Sequence, residues 1–503
     1  LFHTASAPPG LKEVMFSMQK LRAQGAASQQ TQPGQARPKA KPGYSIDMVS
    51  GPLAGKLLVF ALPLMLSSLL QLLFNAADVV VVGRFAGKEA LAAVGSTSSL
   101  INLLVNLFVG FSVGSNVTVA RDLGAGREDD VRRSVHTAIT LSLVSGLLLM
   151  VLGTTLAHQL LIWTSSPADV IGLATIYLRI YFCGMPANML YNFGAAILRA
   201  QGDTRRPLYF LAIAGVTNVA LNLVFVIVLH MSVAGVALAT IISQYISAAL
   251  VLLCLVRDQG LLHLDLKNLG LDKRVVRRIL QVGLPAGFQG ILFSLSNVVI
   301  QSSINSFNST AIVAGSSASS NIEGFVYAAM NAFYQTTLTF ASQNYGAGEC
   351  RRVDRTLLLC QGYVLATGLV LGNLVAHFGH ALASIYAPGE EEVIAQVIIR
   401  LGYVCRLYFL CGVMDTMVGV LRGLGYSVVP MVVSMVGVCG VRLLWVATVF
   451  QIYRMPEVLY LSYPVTWTIT AAIHILFFLF IRKHAYAKVK GIHAINSQPQ
   501  TEG

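Results

Sequence analysis

Twelve apolar segments, cut from one another by charged or Gly/Pro-rich breaks, run from about residue 57 to residue 481. They fall near 57–82, 97–120, 134–158, 172–197, 208–230, 233–256, 281–306, 318–342, 356–377, 393–420, 428–451 and 459–481. Each supplies the ~20 residues that a helix needs to cross a bilayer. A closed barrel is the other structure that satisfies its backbone in lipid, but its strands alternate apolar and polar residues, and these runs are continuously apolar. The expected fold is therefore an all-α polytopic membrane protein of twelve transmembrane helices. Composition agrees: 55% of the chain is hydrophobic and 11% charged, about half the usual charged fraction, which excludes a water-soluble enzyme. The seven Cys residues form no CxxC pair and lie mostly in apolar stretches, so they read as small buried hydrophobes.

The net charge of +13 is unevenly distributed. Loops after even-numbered helices hold seventeen Lys and Arg, among them Arg121, Arg127, Arg205, Arg206, Lys273, Arg278 and Arg352, whereas the opposite loops hold only Arg84, Lys88 and Arg454. By the positive-inside rule both termini are expected in the cytoplasm, in a protein of the inner cell membrane. The charge is thus accounted for by loops facing one side of the bilayer, and nucleic acid is not expected as a partner. Residues 1–47, rich in Gln, Ala and Pro between Gln24 and Pro42, read as a disordered tail and an upstream extension before Met48.

The chain also repeats itself at an offset of about 222 residues. Ala61-Leu62-Pro63 matches Gly283-Leu284-Pro285, and Asn75 matches Asn297. Gly124-Ala125-Gly126 matches Gly346-Ala347-Gly348, and Leu198-Arg199 with Gly202 and Pro207 matches Leu421-Arg422 with Gly425 and Pro430. Each copy holds six helices, an even number, so both enter the membrane from the same side. The two six-helix lobes are then related by a pseudo-two-fold axis along the membrane normal, with a cleft between them suited to alternating access. The expected organisation is an N-terminal lobe over 48–256, a cytoplasmic linker over 257–280, a C-terminal lobe over 281–485 and a tail over 486–503. A static bundle stabilised by an old duplication is the competing reading.

Few ionisable residues remain inside spans, where each costs ~2.5 to 3.5 kcal/mol on insertion scales. In the first helix Ser67, Gln71, Asn75 and Asp78 share one stripe, which must face protein or water. Asn218 and Asn222, one turn apart in the fifth helix, are matched to a carboxylate as hydrogen-bonding partners. Asp78 is accordingly a candidate cation-coupling group with Asn75, Asn218 and Asn222 around it; reaching the headgroups or pairing with Arg84 is its structural alternative. In the second half, Glu323 shares a face of the eighth helix with Tyr327, Asn331 and Gln335, and Ser294, Asn297 and Gln301 line the seventh. Asp415 and Arg406 fall in the tenth helix and Arg442 in the eleventh. These two acids and two arginines are expected either to neutralise one another as a buried network or to serve transport directly. The candidate substrate cleft comprises Gln71, Tyr177, Tyr181, Asn297, Gln301, Glu323, Asn331, Arg406 and Asp415. There is no Walker-type segment and no HExxH, so no cofactor is expected, and energy must come from an ion gradient or from the substrate.

The stretch from Leu62-Pro-Leu-Met-Leu to Phe74-Asn-Ala-Ala-Asp-Val-Val-Val-Val-Gly-Arg84, the paired Gly-Ala-Gly turns, the Asn218/Asn222 pair and Leu421-Arg-Gly-Leu-Gly-Tyr426 resemble the bacterial multidrug and toxic compound extrusion (MATE) family over residues 48–485. The resemblance implies a V-shaped pair of lobes that export organic compounds, often amphipathic cations, against inflow of H+ or Na+. It implies that Asp78, Asn218 and Asn222 belong to the coupling site, with bound Na+ at Asp78 as the one metal to consider, and that Asp415 resembles a second-lobe acid of some branches. The seventh helix has Ser, Asn and Gln where several branches place a Glu, which leaves Asp78 with more of the coupling. The expected partners are a small organic molecule and the lipid bilayer, around a monomer. A flippase for a lipid-linked saccharide is the alternative function, although its anionic headgroup calls for a more basic cleft.

Overall fold

The computed structural model describes residues 44–164 and 168–496. The expected N-terminal tail lies outside the described residues up to residue 43, as does the C-terminal tail from residue 497. The described chain is helical throughout its membrane region. Helices α1 (Leu53–Ala86), α2 (Lys88–Gly124), α3 (Glu128–Trp163), α4 (Ala168–Cys183 continued by Met185–Ala200), α5 (Arg205–Val228) and α6 (Ser232–Val256) form the first set. The second set is α7 (Lys273–Asn305), α8 (Thr310–Gly346), α9 (Cys350–His377), α10 (Glu391–Gly423), α11 (Val428–Ile452) and α12 (Pro456–Asn496).

Helix ends follow local chemistry. Asp272 caps α7, its carboxylate accepting from the amides of Arg274 at 2.8 Å and Val275 at 3.3 Å; these bonds, the one to Arg274 foremost, hold its carboxyl below the ordinary range. Helix α4 bends by 45° at Gly184, where Pro186 at the start of the second piece withdraws a backbone donor.

Ten of the twelve helices are long and apolar enough to cross a membrane on their own, and the bent α4 makes an eleventh. The exception is α8, which is long but carries Ser316, Ser319, Thr336, Thr337, Thr339 and Ser342. These residues are buried, because α8 lies among α1, α2, α9 and α10. Five of these hydroxyls donate to carbonyls four residues back, as Ser319 does to Gly315 at 2.8 Å and Thr336 to Ala332 at 2.7 Å, and the sixth, Ser316, accepts from Arg400, so little polarity is left unsatisfied.

The repeat is written in the backbone. Gly126 and Gly348 have φ of +67° and +77°, and Gly202 and Gly425 have φ of +97° and +90°, so the same turns require glycine in both copies. The lobes meet through small residues. A Cβ on Gly110 would lie 2.3 Å from the Gly287 amide, and one on Gly114 would lie 2.1 Å from the Ile279 carbonyl. Two small-xxx-small stripes, Gly110/Gly114 on α2 and Gly283/Gly287 on α7, thus let the backbones touch. Farther along, Gly124 and Gly346 bring the ends of α2 and α8 together, with hypothetical Cβ atoms at 1.9 Å from the Gln343 carbonyl and 2.2 Å from the Arg121 carbonyl.

Hydrogen bonds between the lobes among the described residues lie at this same basic end. Thr339 donates to Asn116 at 3.1 Å, Gln343 to the Ala200 carbonyl at 3.3 Å and Arg121 to the Gly423 carbonyl at 2.7 Å. The V is therefore closed where α1 begins.

Candidate functional site

Asp78 sits in the last turns of α1, where the stripe begun by Ser67 meets α5. Gly215 makes the approach possible: a Cβ there would lie 1.7 Å from the Phe74 ring. One and two turns farther along α5, Asn218 and Asn222 are buried at 5% and 0% exposure. The Asn222 amide nitrogen donates to the Asp78 carboxylate at 2.5 Å and to the Asn218 carbonyl oxygen at 3.2 Å. Asn218 in turn donates to Thr240 of α6 at 3.4 Å. This leaves the Asn222 side-chain oxygen buried and without a partner among the described residues, an acceptor of the kind that a cation or a protonated carboxyl uses. Tyr177 and Tyr181 of α4 stack with centroids 6.0 Å apart, both within electrostatic reach of Asp78.

Asp78 is half-buried and has no ion pair among the described residues; Arg84 is exposed beyond it. The alternative pairing with Arg84 is not made. Gln71 and Asn75 are exposed on the face that leads to Asp78. Of the expected coupling group, Asp78, Asn222 and Asn218 are brought together from α1 and α5, with Thr240 added by α6, whereas Asn75 makes no hydrogen bond to Asp78 among the described residues.

The second lobe departs from expectation. The four-residue network of Glu323, Asp415, Arg406 and Arg442 is not formed. Glu323 is instead held by Arg400, whose Nε and Nη2 reach its two carboxylate oxygens at 2.7 and 3.0 Å. Arg400 also donates to Ser316 and lies over the rings of Tyr460 and Tyr463 at 5.5 and 5.7 Å. At 6% and 3% exposure the pair is an internal strut between α8 and α10, and Glu323 presents no unpaired oxygen to a cleft.

Arg406 is exposed in a 3-10 turn, Cys405–Leu407, that interrupts α10, and makes no ion pair with Glu323 or Asp415 among the described residues. Six residues of helix rotate a side chain by about 240°, so Arg400 and Arg406 could not both face α8. That phase was the signal in the sequence that would have selected Arg400.

Arg442 is buried over Tyr463 at 4.2 Å, with hydrogen bonds at 3.4 Å to Ser296, Asn297 and Thr466. Arg422, which lies between the tenth and eleventh apolar segments, is buried at the end of α10 and donates to Tyr334 at 2.6 Å and Gln289 at 2.7 Å. Asp415 is half-buried and makes no hydrogen bond or ion pair among the described residues; Tyr327 and Arg422 are its electrostatic neighbours. Asn297 is exposed, Asn331 half-buried, and Gln301 donates to Asn305 at 3.1 Å near the end of α7. The two lobes therefore differ: one offers Asp78 with amide partners, the other Asp415 near Arg422, which is already engaged by Tyr334 and Gln289.

The MatE family model matches this chain twice, over residues 63–224 and 285–447, one match in each lobe. A probable multidrug resistance protein, YoeA, of Bacillus subtilis is 28% identical over 84% of this chain and 93% of its own length. A protein named FAD transporter from Shewanella oneidensis is 24% identical over 68% of this chain and 76% of its own. Among solved structures, an outward-facing conformation of a multidrug resistance MATE transporter superposes with a TM-score of 0.82 at 20% identity, covering 90% of this chain and all of that one; at that identity the likeness shows the fold. The two family matches together span more than half of the chain, and each covers most of the first five helices of one lobe. This protein belongs to the MatE family of multi-pass membrane transporters.

Proposed function

We propose that the chain exports small organic molecules, amphipathic cations foremost, by antiport with H+ or Na+, its lobes alternating access to a central cleft. The observation that carries this reading is the Asp78 carboxylate, hydrogen-bonded by Asn222 and without a basic partner among the described residues. A carboxylate so placed takes up a proton or Na+, and the unpartnered Asn222 oxygen beside it suits either ion. The order proposed is uptake of the coupling ion at Asp78, rearrangement of α1 against α5, release of substrate, and return of the empty carrier with the ion discharged on the other side.

A cationic substrate is favoured by the charges left over. Arg400 is neutralised by Glu323, and Arg422 and Arg442 are occupied by hydroxyl and amide groups, whereas Asp415 is unpaired among the described residues. Moving a monovalent organic cation outward opposes an inside-negative potential by ~2.3 kcal/mol per 100 mV, and exchange for one entering H+ or Na+ cancels that electrical cost. The basic end, where α1 begins, is proposed to face the cytoplasm.

Purified protein in proteoliposomes loaded with a fluorescent cationic dye tests this reading. Dye movement that follows an imposed H+ or Na+ gradient supports it. Movement of FAD in place of dye would transfer the chemistry suggested by the Shewanella relative's name, and gradient-independent movement of a lipid-linked saccharide would favour a flippase.

A further inference from the structure

The internal repeat places two equivalent recesses at the basic end of the V, and they are filled differently. In the first, between α8 and the α4–α5 turn, the chain fills the space itself. The Ile46 amide donates to the Gly202 carbonyl at 3.1 Å. Arg352 donates to the carbonyls of Met48, Ser50 and Gly51 at 3.1, 3.0 and 3.0 Å, and Asn344 donates to Met48 at 3.2 Å. One arginine and one amide thus meet three carbonyl oxygens.

The second recess lies between α2, the α10–α11 turn and the start of α7. Asp122 stands here where the first recess has Asn344, and Gly425 where the first recess has Gly202. The segment corresponding to Ile46–Gly51 turns away toward α3, the Asp272 amide donating to Thr137 at 3.2 Å. What remains is a pocket of about 600 Å³ lined by Arg121, Arg127, Arg278 and Lys488, with Asp122 as its one carboxylate. Asp122 is already bound by Arg127 at 3.1 Å, Arg278 at 2.8 Å and Ser134 at 2.7 Å. Arg121 directs Nε and Nη2 to the Gly423 carbonyl and lies over Tyr345 at 5.1 Å; its Nη1 makes no hydrogen bond among the described residues. Lys488 has no ion pair among them either. Arg127 also pairs with Asp130, outside the pocket, at 3.3 Å; four cations against these two carboxylates, with the Arg121 Nη1 and the Lys488 ammonium unspent, match the several oxygens and the negative charge of a phosphate.

We propose that this pocket binds a phosphate-bearing anion, which joins Arg121 and Arg127 of the first lobe to Arg278 and Lys488 of the second and so holds the basic end of the V closed. The anion plays the part that the carbonyls of Met48, Ser50 and Gly51 play in the first recess. Two sources share this chemistry: the headgroup of an anionic phospholipid in the facing leaflet, and a soluble phosphate compound. The pocket must open when the lobes part at this end, so its ligand favours the closed arrangement by mass action.

The test uses the full chain in phosphatidylcholine nanodiscs, either with inorganic pyrophosphate added or with part of the lipid replaced by phosphatidylglycerol. Thermal unfolding is read together with the distance between spin labels at Glu128→Cys and Arg351→Cys, in a background carrying Cys183→Ser. Saturable stabilisation and a narrowed distance distribution are expected from at least one source. Response to phosphatidylglycerol alone assigns the lipid, and response to pyrophosphate alone assigns a soluble ligand. Arg127→Gln/Lys488→Gln should weaken the response by about tenfold, equivalent to 1.4 kcal/mol. Arg132→Gln/Arg133→Gln, which removes the same charge outside the pocket, should leave it unchanged. No response to either source, or equal loss in both double variants, overturns the proposal. The readout is binding, independent of transport and of orientation in a cell, so its failure is distinct from failure of the export reading.

Discussion

Asn222 of α5 reaches across to Asp78 of α1 and donates to its carboxylate from 144 residues away in the chain. That bond ties the coupling candidate to the buried Asn218/Asn222 pair of the first lobe. Asn222→Ala removes the direct donor, and a hydrogen bond to a charged group is worth about 1.5–3 kcal/mol. Gradient-driven dye export should fall by about tenfold or more. Asn218→Ala, which reaches Asp78 only through Asn222, should cost less. Initial rates in proteoliposomes, normalised to inserted protein, compare the two.

The Glu323–Arg400 pair predicts a different signature, in stability. Arg400→Leu alone leaves a carboxylate at 6% exposure without its partner and should cost about 3–5 kcal/mol. Glu323→Leu/Arg400→Leu should recover much of that loss, because no buried charge is then uncompensated. Thermal unfolding in detergent of the two single variants and the double variant checks the coupling.

Arg406 and Arg442 should behave oppositely. Arg406→Gln alters an exposed side chain in a 3-10 turn and should change stability by no more than about 0.5 kcal/mol. Arg442→Gln empties the site over Tyr463 and removes the donor to Ser296, Asn297 and Thr466, and should lower the unfolding temperature clearly. Equal effects would contradict the separation of these residues described above.

The glycine crossing predicts a conformational effect. In Gly114→Ala the new methyl would lie 2.1 Å from the Ile279 carbonyl, a contact that backbone must relieve by moving. The lobes should part at the basic end, read as a longer spin-label distance between positions 128 and 351. Gly95→Ala, where a Cβ meets nothing within 4 Å, should leave that distance unchanged.

What was legible in the sequence followed from periodicity and cost. Twelve spans are visible because lipid demands long apolar runs, and Asp78 because a carboxylate in such a run has to be explained. The polar α8 was legible as a span but not as the interior helix it is, since its hydroxyls reveal their burial only once its neighbours are known. Arg400 was missed in favour of Arg406 because both lie in the same apolar stretch, and helical phase alone distinguishes them. Asp122 and Arg121 read as loop residues until α2 was seen to continue to Gly124. The inequality of the two recesses rests on where the segments at 46–51 and 268–273 turn, which repeat matching does not encode.

Asp78 is the proposed carrier of the coupling ion. Asp78→Asn keeps the shape and the hydrogen bonding of the side chain but removes its charge. Proteoliposomes containing this variant should still bind dye and exchange it between equal pools, yet show no dye accumulation under an imposed H+ or Na+ gradient. Gradient-driven accumulation at the wild-type rate in Asp78→Asn, with insertion verified, would contradict the account.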